Sequence, residues 1–196
     1  MHRLLDEMPE LRLGGNWLEP AAGEGALLRA TEIYVPKGED VLWKLPSWTA
    51  LELRKEEQEN LESFKTAGIA KRVICPQDYF TWQTKAKFDV IITNPPFSLA
   101  MDFITKSIAL QPKFVIMLLR LNYVGSEKRH HFMSTNMFHR TYVLPNRPPF
   151  TKNKEGKWST DSIEYAWFVH DLSLPPTDTS AMKMLALTPK QERKPG

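Results

Sequence analysis

Short apolar runs alternate along the chain with amphipathic segments, and this alternation predicts strands connected by helices. Strands are predicted near 16–20, 49–53, 71–76, 88–94, 113–121, 139–145 and 162–170. Helices are predicted over 2–11, 24–32, 54–67, 98–110 and 126–136. Strands that are separated by helices favour a parallel, doubly wound α/β sheet, in which ligands bind at the carboxyl ends of the strands.

The fourth predicted strand ends in an unusual tetrapeptide, Asn94-Pro95-Pro96-Phe97. Two consecutive prolines cannot donate to a sheet ladder, so the backbone must leave the sheet there as a rigid, extended lip. The Asn94 side-chain oxygen and a freed backbone carbonyl could accept both hydrogens of an exocyclic amine. The Phe97 ring could stack on a planar base. Taken alone, the tetrapeptide is equally compatible with an ordinary turn.

A second motif follows the first predicted strand, in the segment Glu19-Pro20-Ala21-Ala22-Gly23-Glu24-Gly25. Gly23 and Gly25 allow the backbone to pass close to a ligand, and a helix begins directly afterwards. The dinucleotide-binding fingerprint is not matched, because its third glycine is missing. Glu19 before the turn suits a cationic ligand better than a pyrophosphate. The glycine loop is weak evidence alone, but it is strong evidence when an Asn-Pro-Pro-Phe strand end follows.

Together, the two motifs resemble those of the S-adenosylmethionine-dependent amino-methyltransferases, specifically the N6-adenine methyltransferases. The resemblance covers roughly residues 14–170. It implies a Rossmann-like class I methyltransferase fold with a seven-stranded, mostly parallel sheet and an antiparallel last strand. It also implies S-adenosyl-L-methionine as the cofactor. The catalytic residues that it implies are Asn94, Pro95, Pro96 and Phe97.

The resemblance also implies a set of cofactor-binding residues. The loop from Glu19 to Gly25 would cradle the methionine part, and Glu52 at the end of the second strand would bind the ribose hydroxyls. Asp78, after the third strand, would contact the adenine amine of the cofactor. The expected cofactor-binding residues are therefore Glu19, Pro20, Ala21, Gly23, Gly25, Glu52, Asp78, Tyr79 and Asn94.

Three substrates are compatible with the resemblance. Adenine in DNA is favoured, because the small size and the motif order resemble a compact, stand-alone modification enzyme of phage or mobile-element origin. Adenine in rRNA or tRNA is the second interpretation, since several RNA-modifying families carry the same tetrapeptide. A protein glutamine is the third, although that family usually ends the tetrapeptide in Tyr and carries a larger N-terminal helical domain. A non-enzymatic binding module would have no reason to keep both motifs.

Positive charge is concentrated between the sixth and seventh predicted strands, in residues 147–158. Four basic residues and one acid give this segment a charge of +3, which equals the formal net charge of the whole chain. Basic residues interleaved with aromatic ones suit phosphate contacts and base stacking, although an exposed, lysine-protected hairpin is an equally good interpretation. The residues predicted to bind substrate are Arg147, Phe150, Lys152, Lys154 and Lys157, together with Phe97.

The length of 196 residues fits one α/β domain, predicted over residues 1–171 and followed by a partly disordered tail over 172–196. No apolar run approaches the ~20 residues that span a bilayer, and the first residues lack a signal-peptide core. The single cysteine, Cys75, fits a reducing compartment, so a cytoplasmic location is expected. No spacing of Cys and His residues predicts a metal site. The long connection over 31–48 is compatible with a lid or with a packed surface loop.

Overall fold

The structure is a computed structural model that describes residues 1–36, 42–152, 158–160 and 162–187, with the backbone alone over 149–152 and 158–160. The α-helices are α1 (His2–Glu7), α2 (Ala26–Glu32), α3 (Gln58–Thr66), α4 (Ala100–Ala109) and α5 (Glu127–Met133). The strands are β1 (Asn16–Glu19), β2 (Ser47–Leu51), β3 (Ala70–Ile74), β4 (Val90–Thr93), β5 (Phe114–Arg120), β6 (Arg140–Val143), β7 (Pro149–Lys152), β8 (Trp158–Thr160), β9 (Tyr165–Asp171) and β10 (Ala181–Met184). Short 3-10 turns cover Pro9–Leu13, Lys55–Glu57, Phe97–Leu99 and Leu121–Val124.

The main sheet has the strand order β10-β6-β9-β5-β4-β1-β2-β3. Neighbouring strands are parallel except that β9 runs antiparallel to both β5 and β6. This arrangement confirms the predicted mostly parallel sheet with an antiparallel strand near its end. Strands β7 and β8 pair antiparallel in a separate two-stranded sheet, and β7 lies within the basic segment.

The predicted count of seven strands was one strand short. Strand β10 pairs parallel with β6 at the edge of the sheet, within the segment that the sequence assigned to a tail. Its four side chains are all exposed, so no alternation of buried and exposed positions marks it in the sequence. Leu185, directly after β10, is buried in the core and holds this segment against the domain.

Two apolar cores lie on opposite faces of the sheet. One includes Leu4 of α1, Leu28 of α2 and Leu61 of α3. The other includes Phe103 of α4 and Met133 of α5. Side chains of successive strand residues point to opposite faces, so a strand between the two cores is apolar on both faces, as β4 is up to Ile92 and β5 is up to Leu119. Within the described ranges, no helix has the length and apolar character that crossing a membrane requires.

The long connection after α2 is packed against the domain where the structure describes it. Tyr34 is buried, its hydroxyl donates to Asp6 at 2.9 Å, and its ring meets Trp43 edge-on at 5.0 Å. These contacts favour the packed surface loop over the lid for residues 34–36 and 42–46.

Parallel pairing places the carboxyl ends of β1, β2, β4 and β5 at one edge of the sheet. The strand β1 lies between β2 and β4, so the motifs that follow β1 and β4 are neighbours in space although about 75 residues apart in sequence. This edge therefore carries the candidate site.

Candidate active site

The glycine loop after β1 is held tightly against the end of β2. The Ala22 N–H donates to the Leu51 carbonyl at 2.8 Å, and the Gly25 N–H donates to the Ala22 carbonyl at 2.8 Å. Gly23 and Gly25 have positive φ angles of 54° and 77°, which side-chain-bearing residues rarely adopt. A Cβ at Gly25 would lie 2.5 Å from the ring of Phe64 in α3. Glycine is therefore required at position 25 by both backbone geometry and packing.

Glu19, at the end of β1, is a buried acid that forms no ion pair with any of the described residues. Its side chain is 3% exposed, and its Oε2 atom has no hydrogen-bond partner among the described residues. Burial raises the pKa of Glu19 well above its usual range, and the nearby carboxylate of Glu52 raises it further. A cation bound beside this carboxyl would relieve both effects. Pro20 is buried next to it and Ala21 is half-buried, so the start of the loop is apolar.

Glu52 lies where the sequence predicts it, directly after β2 and beside the glycine loop. Its Oε2 atom accepts the Gly23 N–H at 2.6 Å. Its Oε1 atom accepts both the backbone N–H and the Nε–H of Arg54 at 3.0 Å. An ionised carboxylate has about four acceptor positions, so one remains for a further donor. Sequence reasoning missed Arg54, which lies in a charged run that looks like an ordinary solvated helix face.

Asp78 and Tyr79 lie in the turn after β3, and their side chains have different surroundings. Asp78 is half-buried, and its Oδ1 atom accepts the Phe80 N–H at 2.8 Å. Tyr79 is buried, stacks on Phe103 at 5.2 Å and has its hydroxyl 3.0 Å from the Ser107 hydroxyl. Burial raises the pKa of Tyr79 to about 12. The Tyr79 side chain is thus a core group that supports the turn, and its hydroxyl is engaged in the core.

The lip after β4 leaves one acceptor unused. Asn94 is half-buried, yet its Oδ1 atom is inaccessible to solvent and has no partner among the described residues. Pro95 is buried, and the Pro96 carbonyl accepts the Leu99 N–H at 2.9 Å, which closes the turn before α4. Buried polar atoms are normally hydrogen-bonded, so an unpartnered amide oxygen at a strand end suggests a ligand contact. Glu19 and Asn94 thus provide two unused acceptors on neighbouring strands.

The Phe97 ring has a buried aromatic residue and an exposed cation as neighbours. The ring of Tyr165, which is 1% exposed, is 5.8 Å away at an interplanar angle of 34°. The Arg120 guanidinium lies over the Phe97 ring, with its Cζ atom 4.8 Å from the centroid. Sequence reasoning missed the contacts of both Tyr165 and Arg120 with the Phe97 ring. A usable signal was present, since Arg120 is the first charged residue after the apolar run of β5.

The basic segment includes β7 and the first residue of β8, and the structure describes one of its basic side chains. Arg147, before β7, forms an ion pair with Glu164 at 2.7 Å, and both side chains are about half exposed. The contribution of this segment to substrate binding stays a prediction. Lys154 and Lys157 lie outside the described residues, as do the side chains of Phe150 and Lys152.

Neither the protein-family models nor the curated proteins include a significant match to this chain. Solved structures do match. A candidate class I S-adenosylmethionine-dependent methyltransferase from Listeria monocytogenes has a TM-score of 0.63 at 15% identity, covering 97% of this chain and 65% of its own. The 23S rRNA methyltransferase ErmE has a TM-score of 0.54 at 14% identity, covering 86% of this chain and 65% of its own. A dimethyladenosine transferase from Plasmodium falciparum has a TM-score of 0.51 at 12% identity, covering 89% of this chain and 62% of its own.

These likenesses define the class of fold. The chain has the Rossmann-like α/β fold of the class I methyltransferases, as the sequence predicted. It spans slightly less than two thirds of the length of each of these three proteins.

Proposed function

We propose that this chain is an S-adenosylmethionine-dependent methyltransferase that acts on the N6 amine of adenine in DNA. The observation that best supports this is the buried Oδ1 atom of Asn94, which has no partner among the described residues and belongs to the same lip as Phe97. An unsatisfied buried acceptor costs about 1–3 kcal/mol, a cost that an amine donor from a substrate would remove. The Phe97 ring gives a planar base a surface on which to stack.

The first loop fits the cofactor on charge and on shape. S-adenosylmethionine supplies an activated methyl group on a cationic sulfur and carries an ammonium group. Glu19 is a buried acid whose Oε2 atom has no partner among the described residues, and it would hold the positive charge of the cofactor. The loop residues Pro20, Ala21, Gly23 and Gly25 would cradle the methionine part.

The ribose and the adenine of the cofactor would lie along the next two strand ends. Glu52 would accept a ribose hydroxyl at its remaining acceptor position, beside the Gly23 N–H and Arg54. The half-buried carboxylate of Asp78 would accept a hydrogen bond from the adenine amine of the cofactor. Tyr79 would support the turn that carries Asp78 by packing in the core.

Asn94 would activate the substrate by geometry. The exocyclic nitrogen of adenine is a poor nucleophile, because its lone pair is delocalised into the ring. The Asn94 Oδ1 atom and the Pro95 carbonyl would accept its two hydrogens and favour a more tetrahedral nitrogen. The lone pair would then point at the methyl group, and a nitrogen–carbon bond would form while the carbon–sulfur bond breaks. The surplus proton would pass to solvent, since an amide cannot act as a strong base.

Phe97 would hold the base flat during transfer. In a duplex the base must first leave the helical stack, which costs a few kcal/mol. Stacking on an aromatic ring, worth about 1–3 kcal/mol, together with the two hydrogen bonds to the lip would offset this cost.

Adenine in RNA is the alternative substrate. Two of the similar structures are by name a 23S rRNA methyltransferase and a dimethyladenosine transferase. The lip would hold an adenine amine in the same way on either nucleic acid. A protein glutamine, also a planar amide, remains the third candidate.

Two variants separate cofactor binding from methyl transfer. Asn94→Ala should abolish transfer and leave cofactor affinity nearly intact, because Asn94 would contact the substrate amine and not the main body of the cofactor. Glu19→Gln should weaken cofactor binding, because a neutral amide replaces the charge partner. Calorimetry with S-adenosylhomocysteine and S-adenosylmethionine measures both affinities. A loss of more than about tenfold, or ~1.4 kcal/mol, in Asn94→Ala would contradict the assignment.

A further inference from the structure

The Phe97 ring has one buried neighbour and one solvent-exposed neighbour. Tyr165 is fully buried and flanks the ring from the interior. Arg120 is exposed at the last position of β5, and its guanidinium covers the ring at 4.8 Å. Phe97 itself is half-buried. A base that stacked on the face of the ring beneath Arg120 would therefore have to displace this exposed side chain.

A guanidinium resembles a nucleobase in the way it stacks on an aromatic ring. It is planar and weakly hydrated, so it lies flat on aromatic faces. An exposed cation–π contact is nevertheless weaker than the stacking of a base on an aromatic side chain. A planar base that enters the site would therefore displace Arg120. The displaced side chain stays attached at the rim of the site, where it could form a charge-assisted hydrogen bond to a phosphate.

We propose that Arg120 is a specificity-determining residue that covers the base-stacking face of Phe97 until a nucleic-acid substrate displaces it. This inference rests on the proposed function and adds a selection step to it. A free base must displace Arg120 without compensation, whereas a base within a polynucleotide offers the released guanidinium a phosphate. Arg120 thereby disfavours free bases and favours bases on a phosphate backbone.

The same strand provides a matched control at its other end. Lys113 precedes β5, is exposed, and its Nζ atom lies 5.2 Å from the centroid of the Phe114 ring. This contact is also a cation over an aromatic ring, but it lies at the amino end of β5, away from the lip. Lys113→Ala therefore removes a similar surface contact and positive charge without touching the candidate site.

The test measures the binding of adenine and of a short adenine-containing oligonucleotide by nuclear magnetic resonance, with S-adenosylhomocysteine filling the cofactor site. In the free protein, ring current from Phe97 should shield the Arg120 δ-protons, and adenine should abolish that shielding. Arg120→Ala should bind adenine about two- to fivefold more tightly, which is the strength of an exposed cation–π contact. The same variant should bind the oligonucleotide more weakly, and Lys113→Ala should leave adenine binding unchanged.

Opposite effects on the two ligands distinguish selection from a structural role, which would weaken both together. Arg120→Ala binding adenine no more tightly than the parent protein would overturn the inference. Persistent shielding of the Arg120 protons in the presence of both adenine and cytosine would overturn it as well. Release of Arg120 by cytosine but not by adenine would support the role of Arg120 as a displaceable cover of the Phe97 ring, and it would contradict the assignment of adenine as the substrate base. If no planar base changes the Arg120 signals, the inference fails whatever the substrate.

Discussion

Replacing Gly25 with alanine tests the geometry of the glycine loop most sharply. The φ angle of Gly25 is 77°, in the left-handed region that costs an L-residue roughly 1–2 kcal/mol. The new Cβ atom would lie 2.5 Å and 2.9 Å from two ring atoms of Phe64. Both distances are far inside van der Waals contact, and overpacking of a filled site costs typically about 1–3 kcal/mol. Gly25→Ala should therefore lower the free energy of unfolding by about 2–5 kcal/mol.

Gly68 provides the control for the backbone part of this cost. Its φ angle is 78°, almost equal to that of Gly25, but a Cβ there would meet no atom within 4 Å. Gly68→Ala should therefore cost only the conformational part, about 1–2 kcal/mol. Both substitutions reduce the freedom of the unfolded chain similarly, so this effect cancels in the comparison.

Urea unfolding of both variants measures the difference. Gly25→Ala should be the less stable by about 1–3 kcal/mol, and it should also lose cofactor affinity. In a Phe64→Leu background, where the ring is absent, the cost of Gly25→Ala should approach that of Gly68→Ala. Equal costs for the two alanine variants in the parent protein would refute the close packing of the loop on α3.

Three further predictions address charge. Burial raises the pKa of Glu19, so the folded state binds this proton more tightly than the unfolded chain and loses stability as pH rises. Glu19→Gln should therefore raise the melting temperature at pH 8, and it should raise it by less at acid pH. Burial lowers the pKa of His170 from 6.5 to about 4, so stability should fall by roughly 3 kcal/mol as pH drops through that interval. His170→Phe should flatten that pH dependence in denaturant titrations. The third prediction concerns the triple neutralisation of Lys152, Lys154 and Lys157. It should make the slope of log affinity against log salt shallower by up to ~2.7 on duplex DNA or ~2.1 on single strands. Turnover should change little.

The two strand-end motifs could be placed from sequence because their signals are local. Consecutive prolines after an apolar run fix where β4 leaves the sheet, and the glycines fix the turn after β1. Asn94 and Glu19 are consequently found at the edge where the sequence put them.

Features that depend on distant pairing could not be predicted. Arg120 and Tyr165 are opposite each other in the register of β5 and β9, 45 residues apart, so their meeting around Phe97 has no local signature. The direction of the Tyr79 side chain is likewise set by its packing against α4. Strand β10 is fully exposed and so lacks the alternation that marks a half-buried strand.

The most direct test of the proposed function is transfer of a labelled methyl group to separate pools of DNA, RNA and protein. The cofactor carries the label, and the methylated product is digested and identified by mass spectrometry. The proposed function predicts label in DNA as N6-methyladenine, and no label with the Asn94→Ala protein. Label in RNA as N6-methyladenine would support the alternative nucleic acid. Label confined to protein, or no label in any pool although the protein binds the cofactor, would contradict the assignment of Asn94 and Phe97 to an adenine base.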